Sequence, residues 1–446
     1  MLVLEYKIKA AQKQYQAIEE AIKTVQFIRN KCLRYWMDAS KEAKINYAAL
    51  SRYSTELRNE FKFVKDLNSM AVQASAERGW FAISRFYDNC KSKKPGVALG
   101  QKNEPFAAGV PKAHLSNPTN NRDAKTINHE GSAHFSRHSP VKKGFPRFQK
   151  DNRSVEYKTS GWSLHPTKRR ITFTDKKGIG SLRLLGKWDI HTYPVKSIKR
   201  VRLVRRADGY HCQFCVDVEC IDIQPKTGKE IGLDVGLESF FTDSNGHHEP
   251  NPKFLRKAES IIKHVQRRIY KKIKGSNNRR KTRAKYSKKH LRVSRQRTEH
   301  AKRVARHVCK SNDLVAYEDL RVRNMVKCHN LAQSISDASW YQFRLWLEHF
   351  AKKFGKVAVA VPPHNTSQEC CLCKTKVQKD LKQRIHSCNC GLVIHRDINA
   401  AINILLRAKS TVGQTGSNAT GVDASTLVGA ILLKQASTMN VESPSL

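Results

Sequence analysis

Three acids in this 446-residue chain stand where an acid needs a reason. In EIGLDVGLESFFTDSNG, residues 230–246, Asp234 interrupts an apolar strand, and a Ser-Asn-Gly turn signal follows a second strand at 240–242. A carboxylate in a buried strand costs several kcal/mol unless it is paired or binds a metal. In SNDLVAYEDLRVRNM, residues 311–325, a short apolar strand ends at Glu318. In HRDINAAINILLRA, residues 395–408, Asp397 begins a helix with an apolar face at Ile398, Ile402, Leu405 and Leu406. Two of the acids have plainer readings: an Asp beside Gly also opens sugar-kinase-like phosphate-binding folds or is merely structural, and an Asp at a helix start is often only a cap. Together, two acids on strands and one at a helix start are what two-metal phosphodiester cleavage needs. Charges about 4 Å apart at an effective dielectric near 20 repel by about 4 kcal/mol per pair, so divalent metal must be present for all three to ionise. Hard oxygen ligands select Mg²⁺ or Mn²⁺ over zinc.

A second constellation precedes the third acid. TSQECCLCKTKVQKDLKQRIHSCNCGLVIHRD, residues 366–397, places Cys370/Cys373 and Cys388/Cys390 14 residues apart. This is the spacing of a four-cysteine zinc ribbon with one residue missing from the second knuckle, and the zinc would be structural. The extra Cys371 leaves the ligand set open, and His386 or His395 could replace one sulfur. Cys212 and Cys215 repeat the C-x₂-C spacing but lie in a strand pattern, where their side chains point to opposite faces, so no site is expected there.

These groups need elements to hold them. The first residues alternate like a strand, and apolar positions Tyr15, Ile18, Ile22, Val25, Ile28 and Cys32 predict an amphipathic helix over 10–37. Leu50, Tyr53, Leu57, Phe61 and Val64 predict a second, and a third holds Trp80, Phe81, Phe86 and Tyr87, giving a helical domain over 10–90. Residues 91–140 are rich in Lys, Pro, Gly, Asn, Ser and His and are expected to be a flexible loop. Short strands at 141–226 predict a small β-barrel in which the strand at 2–8 pairs, with the helices inserted between. From 227 the alternation of strands and helices predicts an α/β core over 227–365 and 393–408, interrupted by the ribbon at 366–392. The Ser/Thr/Gly-rich residues 409–446 are expected to be disordered. The expected class is therefore multidomain, α+β and α/β.

Charge points to the partner. The formal net charge is +45, from 83 Lys and Arg against 38 Asp and Glu, and self-repulsion on that scale opposes a compact state unless a polyanion neutralises it. A nucleic-acid heteroduplex of about 20 bp carries roughly 40 phosphates, a comparable number. Residues 253–310 hold 23 Lys or Arg and only two acids, Glu259 and Glu299. Ile261, Val265, Ile269 and Ile273 recur there every four residues, predicting a helix with one packed edge and basic faces that track phosphates. Five of the 12 cysteines crowd into 370–390, which favours metal over a disulfide scaffold. No apolar stretch is long enough to span a bilayer and no signal-peptide pattern opens the chain, so membrane association is not expected and an intracellular protein is.

At GLDVGLESF (232–240), AYEDL (316–320), SWYQFRLWLEHFAKKFGK (339–356), TSQECCLC (366–373), CGLVIHRDINAAINIL (390–405) and, more loosely, GFPRFQ (144–149), the sequence resembles the TnpB family, the OrfB-type nucleases of insertion sequences related to compact type V CRISPR effectors. The resemblance covers nearly all of 144–405. It implies a β-barrel wedge domain with a helical recognition insert and an RNase H-like RuvC nuclease domain interrupted by the zinc ribbon. It further implies a guide RNA, a double-stranded DNA target with a displaced single strand, and bacterial cytoplasm with work at the nucleoid. Cleavage would use Asp234, Glu318 and Asp397. Two features depart from the family: His395 stands where an acid commonly precedes the Arg-Asp pair, and the second knuckle is short. The leading expectation is an RNA-guided DNA endonuclease. A non-cleaving nucleic-acid-binding regulator of transposition and an RNA-independent transposase are the alternatives. The guide, the target-adjacent motif and the oligomeric state are not encoded in any readable pattern.

Overall fold

The computed structural model describes residues 2–40, 43–91, 144–186, 189–218, 221–380 and 383–413. All but the first residue of the expected loop over 91–140 and nearly all of the expected tail lie outside the described residues, Lys91 ending a helix instead. The chain divides into two compact units, Met1–Glu219 and Cys220–Leu446. The expected boundary at 226 falls earlier because the joining segment belongs to the second unit: Asp222 N–H donates to Lys353 O at 2.7 Å and Gln224 N–H to Phe354 O at 3.0 Å.

In the first unit β1 (Leu2–Lys9) leads into four helices, α1 (Gln12–Asp38), α2 (Tyr47–Glu60), α3 (Lys62–Lys65) and α4 (Ser69–Lys91). The predicted apolar stripe of α1 is its buried face, and Asn46 caps α2 by accepting the Ala49 N–H at 3.0 Å. Six strands follow: β2 (Ser154–Tyr157), β3 (Trp162–Leu164), β4 (Arg170–Phe173), β5 (Ser181–Leu185), β6 (Ile198–Arg206) and β7 (Gly209–Val216). The sheet order is β2-β6-β7-β1-β5-β4-β3, so β1 is a central strand, antiparallel to both β5 and β7. Its outermost strands β2 and β3 are not paired with one another, so the expected closed barrel is an open, curled sheet. The curl comes from packing: Tyr157 on β2 meets Phe173 on β4 at a ring distance of 4.7 Å without a backbone ladder between them. On β7, Cys212 joins the apolar core. Cys215, three residues on, faces the buried Glu156 and its ring of Arg78, Arg200 and Arg202. The two thiols do lie on opposite faces.

The second unit is built on a five-stranded mixed sheet. A meander of β8 (Glu230–Val235), β9 (Ser239–Asp243) and β10 (His248–Pro250) is followed by a helical hairpin, α5 (Phe254–Tyr270) and α6 (Asn277–Ser311). Next come β11 (Leu314–Glu318), α7 (Val322–Met325), α8 (His329–Ala338), α9 (Trp340–Phe354) and β12 (Val357–Val361). Order is β10-β9-β8-β11-β12, with β8, β11 and β12 parallel. Near-continuous apolar runs such as LVAY suit strands covered on both faces. Helices α6 and α9 cover one face through Ala301, Ala305, Phe343, Leu347 and Phe350. The ribbon segment contributes β13 (Ile385–Ser387) and β14 (Val393–His395), and β14 runs without a linker into α10 (Arg396–Gly413).

Three expectations need correcting here. The packed edge of α5 is Ile262 and Ile269, while Ile261 is 51 % and Ile273 82 % exposed. A strict step of four drifts off a helix face of period 3.6, and Ile273 lies beyond the end of α5. Helix α10 reaches Gly413, past the expected start of the tail at 409. Nor is α10 apolar on one face only, since Asn399 and Asn403 are fully buried with Ile398, Ala401, Ile402 and Ile404.

Candidate active site and metal centre

Asp234 sits one residue from the end of β8, opposite Thr242 on β9. Glu318 is the last residue of β11, and Asp397 lies in the first turn of α10. Helix α10 packs on β8, β9 and β11, and this brings its first turn to the same end of the sheet as the two strand acids. The approach is close because β8 offers Gly232: a Cβ there would stand 2.1 Å from Ala401 O and 3.0 Å from Leu405 Cβ.

The three carboxylates share one electrostatic site. Burial, then the charges of Glu318 and Asp397, push the Asp234 carboxyl well above its ordinary value, and only Arg396 opposes them. Burial also raises Glu318, against a hydrogen bond from Thr366 and the charge of Arg407. Among the described residues the side chain of Asp234 makes no hydrogen bond or salt bridge. Carboxylates brought together with so little cationic compensation fit the hard-oxygen donor set of Mg²⁺ or Mn²⁺.

Four sulfurs form a second centre. The Sγ atoms of Cys370, Cys373, Cys388 and Cys390 all lie within 4.8 Å of one another, with Cys370···Cys390 at 3.6 Å and Cys373···Cys388 at 3.5 Å. Zn–S bonds of about 2.3 Å in a tetrahedron separate sulfurs by about 3.8 Å, so the set fits zinc. The short second knuckle closes because Gly391 takes φ +89° and its N–H returns to Cys388 O at 2.9 Å. Hydrogen bonds from Thr375 draw the Cys373 thiol down to about 6, whereas burial pushes Cys370 to about 12, so a metal must displace a tightly held proton there.

The other candidate ligands lie outside this group. Cys371 is buried, with its N–H donated to Asn399 Oδ1 at 2.9 Å. His386 is buried against the Lys379 amine, and its pKa is pushed down to about 4 by burial and by that charge. His395 is on the acid side: its Nδ1 accepts the Asp397 N–H at 3.3 Å, and its ring meets His248 edge-on at 5.2 Å. His248 in turn pairs with Thr242, the residue across from Asp234, at 2.9 Å.

Sequence reasoning missed the residues that join the two centres. Asn399 Nδ2 donates to Glu369 O at 2.7 Å, and Asn403 Nδ2 donates to Thr366 O at 3.0 Å and Glu369 O at 2.7 Å. Lys374 Nζ donates to Asn403 Oδ1 at 3.2 Å. Two asparagines four apart inside an otherwise apolar helix were the available signal, because a buried amide must find partners.

Parts of the chain match known protein families. Residues 213–329 match the OrfB_IS605 family, described as "Probable transposase", and residues 340–404 match the TNB domain of Cas12f1-like proteins. A "Putative RNA-guided DNA endonuclease" of Streptomyces pristinaespiralis is 37 % identical over 183 residues, 41 % of this chain and 46 % of that protein. The "Putative RNA-guided DNA endonuclease InsQ" of Escherichia coli K12 is 28 % identical over 280 residues, 58 % of this chain and 68 % of that protein. One solved structure, Cas12f1 with sgRNA and target DNA, aligns over 91 % of this chain and 99 % of its own at 15 % identity, with a TM-score of 0.31. Over these residues the chain is similar to proteins of the TnpB type. Its match spans a little under half of the first of these relatives and about two thirds of the second. Among the described residues no helix is long and apolar enough to cross a membrane.

Proposed function

We propose that the chain is an RNA-guided DNA endonuclease of a transposable element, in which the second unit is an RNase H-like RuvC nuclease domain. The observation that carries this reading is the shared site of Asp234, Glu318 and Asp397, delivered by β8, β11 and α10 and left without protein cations in contact with Asp234. Divalent Mg²⁺ or Mn²⁺ bound there supplies Lewis-acid stabilisation of the phosphate and a water nucleophile at neutral pH. The three carboxylates hold it, Gly232 lets α10 approach, and the Asn399 and Asn403 clamp keeps the ribbon segment fixed beside the site. The four cysteines would hold a structural zinc.

Guide RNA and double-stranded DNA, with its displaced strand, are the partners the charge and the family suggest. Base pairing would read the target, while the +45 protein holds the heteroduplex by backbone and shape. The exposed Lys and Arg of α5 and α6 suit that task. Two relatives whose names state RNA-guided DNA endonuclease support the same reading. The test is to purify the full chain, sequence the RNA that accompanies it, and assay a matching DNA with Mg²⁺. Metal-dependent cutting that Asp234→Ala abolishes is expected. Absence of bound RNA, or cutting by the Asp234→Ala protein, overturns the proposal. Tight binding of matched DNA without cutting would favour a regulator instead.

A further inference from the structure

The segment between β12 and the first cysteine knuckle is more firmly held than a connecting loop needs to be. Arg407 donates to Pro362 O at 3.1 Å and His364 O at 2.6 Å, and pairs with Glu369 at 2.7 Å. Asn365 turns the chain at φ +58°, and its carbonyl accepts the N–H groups of Gln368 and Glu369 at 3.0 and 2.9 Å. Asn403 takes the Thr366 carbonyl from the α10 side. Everything around Thr366 is therefore pinned, and Thr366 itself is 4 % exposed.

What this scaffold presents is one hydroxyl. Thr366 Oγ1 donates to Glu318 Oε1 at 2.6 Å, and its other neighbour, Pro363 O, is at 3.5 Å. A hydroxyl has a single proton, so the short contact commits it to the carboxylate. The second oxygen, Oε2, has no partner among the described residues. Glu318 ends a strand with a long side chain, and such a group loses rotamer freedom only when something holds it.

We propose that Thr366 is the positioning residue of the acid site, fixing the Glu318 carboxylate through Oε1 so that Oε2 is presented to the divalent metal. This rests on the reading of Glu318 as a metal-binding acid. Thr366 does not itself touch metal or substrate. Its effect is on how well the site binds metal, and outer-shell partners of this kind are worth about 10–100-fold in metal affinity.

The experiment uses the full chain with its co-purified RNA and Mn²⁺ as the probe, comparing the parent with Thr366→Val, Thr366→Ala and Thr366→Ser. Mn²⁺ binding is read by electron paramagnetic resonance, and cleavage is read as a function of Mn²⁺ concentration. Val and Ala, which lack the hydroxyl, should weaken Mn²⁺ binding about tenfold or more and shift the cleavage curve by the same factor, with most activity recovered at saturating metal. Ser should stay within about twofold of the parent. Ala adds no bulk and carries the same expectation if Val fails to fold. Unchanged Mn²⁺ affinity in Val or Ala, or a Ser protein as impaired as Ala, overturns the proposal. Glu318→Gln separates the two levels: if it binds and cuts like the parent, the reading of Glu318 fails. If it is inactive while Val and Ala bind Mn²⁺ normally, only the role of Thr366 fails.

Discussion

Gly232 of β8 lies directly beneath the carbonyl of Ala401 in α10, so close that a methyl group on Gly232 would stand 2.1 Å from that oxygen. Backbone cannot yield as a side-chain tip can, so Gly232→Ala must lift α10 from the sheet. Overpacking costs about 1–3 kcal/mol, and the upper end applies here. A thermal melt should show the midpoint falling on the order of 10 °C. Divalent-metal binding at the acid site should weaken as well, because Asp397 moves with the helix.

The acid site makes the metal-free protein sensitive to pH in a set direction. Asp234 and Glu318 are raised in the folded chain above ordinary values of 3.8 and 4.5. The folded state then binds more protons than the unfolded one above about pH 4, so stability falls as pH rises from there through the folded values. Denaturant titrations in chelator should show this decline, and Mg²⁺ or Mn²⁺ should reverse it. Asp234→Asn should be more stable than the parent at neutral pH without metal, gain less from added metal, and have no cleavage activity.

Zinc content should separate the four clustered cysteines from the rest. Cys370→Ser or Cys388→Ser should lose the ion in elemental analysis and destabilise the second unit, since site formation and folding are linked. Cys371→Ser and Cys212→Ser should keep one zinc per chain, as neither belongs to the group.

Asp313 clasps the entry to the sheet. It accepts the N–H of Thr227 at 2.9 Å and of Gly228 at 2.7 Å and pairs with the buried Lys356 amine, which holds its carboxyl down at about 2. Asp313→Asn leaves the Lys356 amine with Pro225 O as its remaining partner and should cost about 2 kcal/mol in equilibrium unfolding at pH 7. A lowered folded value gives stability that is present above the unfolded value of 3.8 and is lost as pH falls through about 2. The gap between parent and variant should therefore close across that window.

Nucleic-acid binding should respond to the exposed cations of α6. Replacing Arg283, Lys285, Lys288 and Lys289 with Gln should lower affinity for any sequence. The slope of log affinity against log salt should flatten by about 0.9 for each phosphate that these side chains no longer neutralise. A variant with an unchanged slope would remove α6 from the interface.

What could be read in advance followed from patterns that a short window carries. Asp234 and Glu318 stood out because an acid in an apolar strand violates the strand's own logic, and the cysteine spacing survived a missing residue because Gly391 could absorb it. The two asparagines in an apolar helix were a signal, but the partners of Thr366, Asn399 and Asn403 were not legible, because they lie 30 or more residues away in sequence. The open edge of the first sheet was hidden for a similar reason: strand patterns give faces, not whether the outermost strands meet. Ile273 misled because a step of four resembles a helix face only over two or three turns.

The seam between β14 and α10 carries a consequence for recombination among relatives. Because the strand passes into the helix at Arg396 with no intervening residue, and Asn399 and Asn403 grip the first knuckle, the cysteine module has no clean excision point on its C-terminal side. A chimera that exchanges only residues 366–392 would put a foreign knuckle against asparagines shaped for another. Residues 366–403 form the smallest cassette that keeps both halves of the contact together.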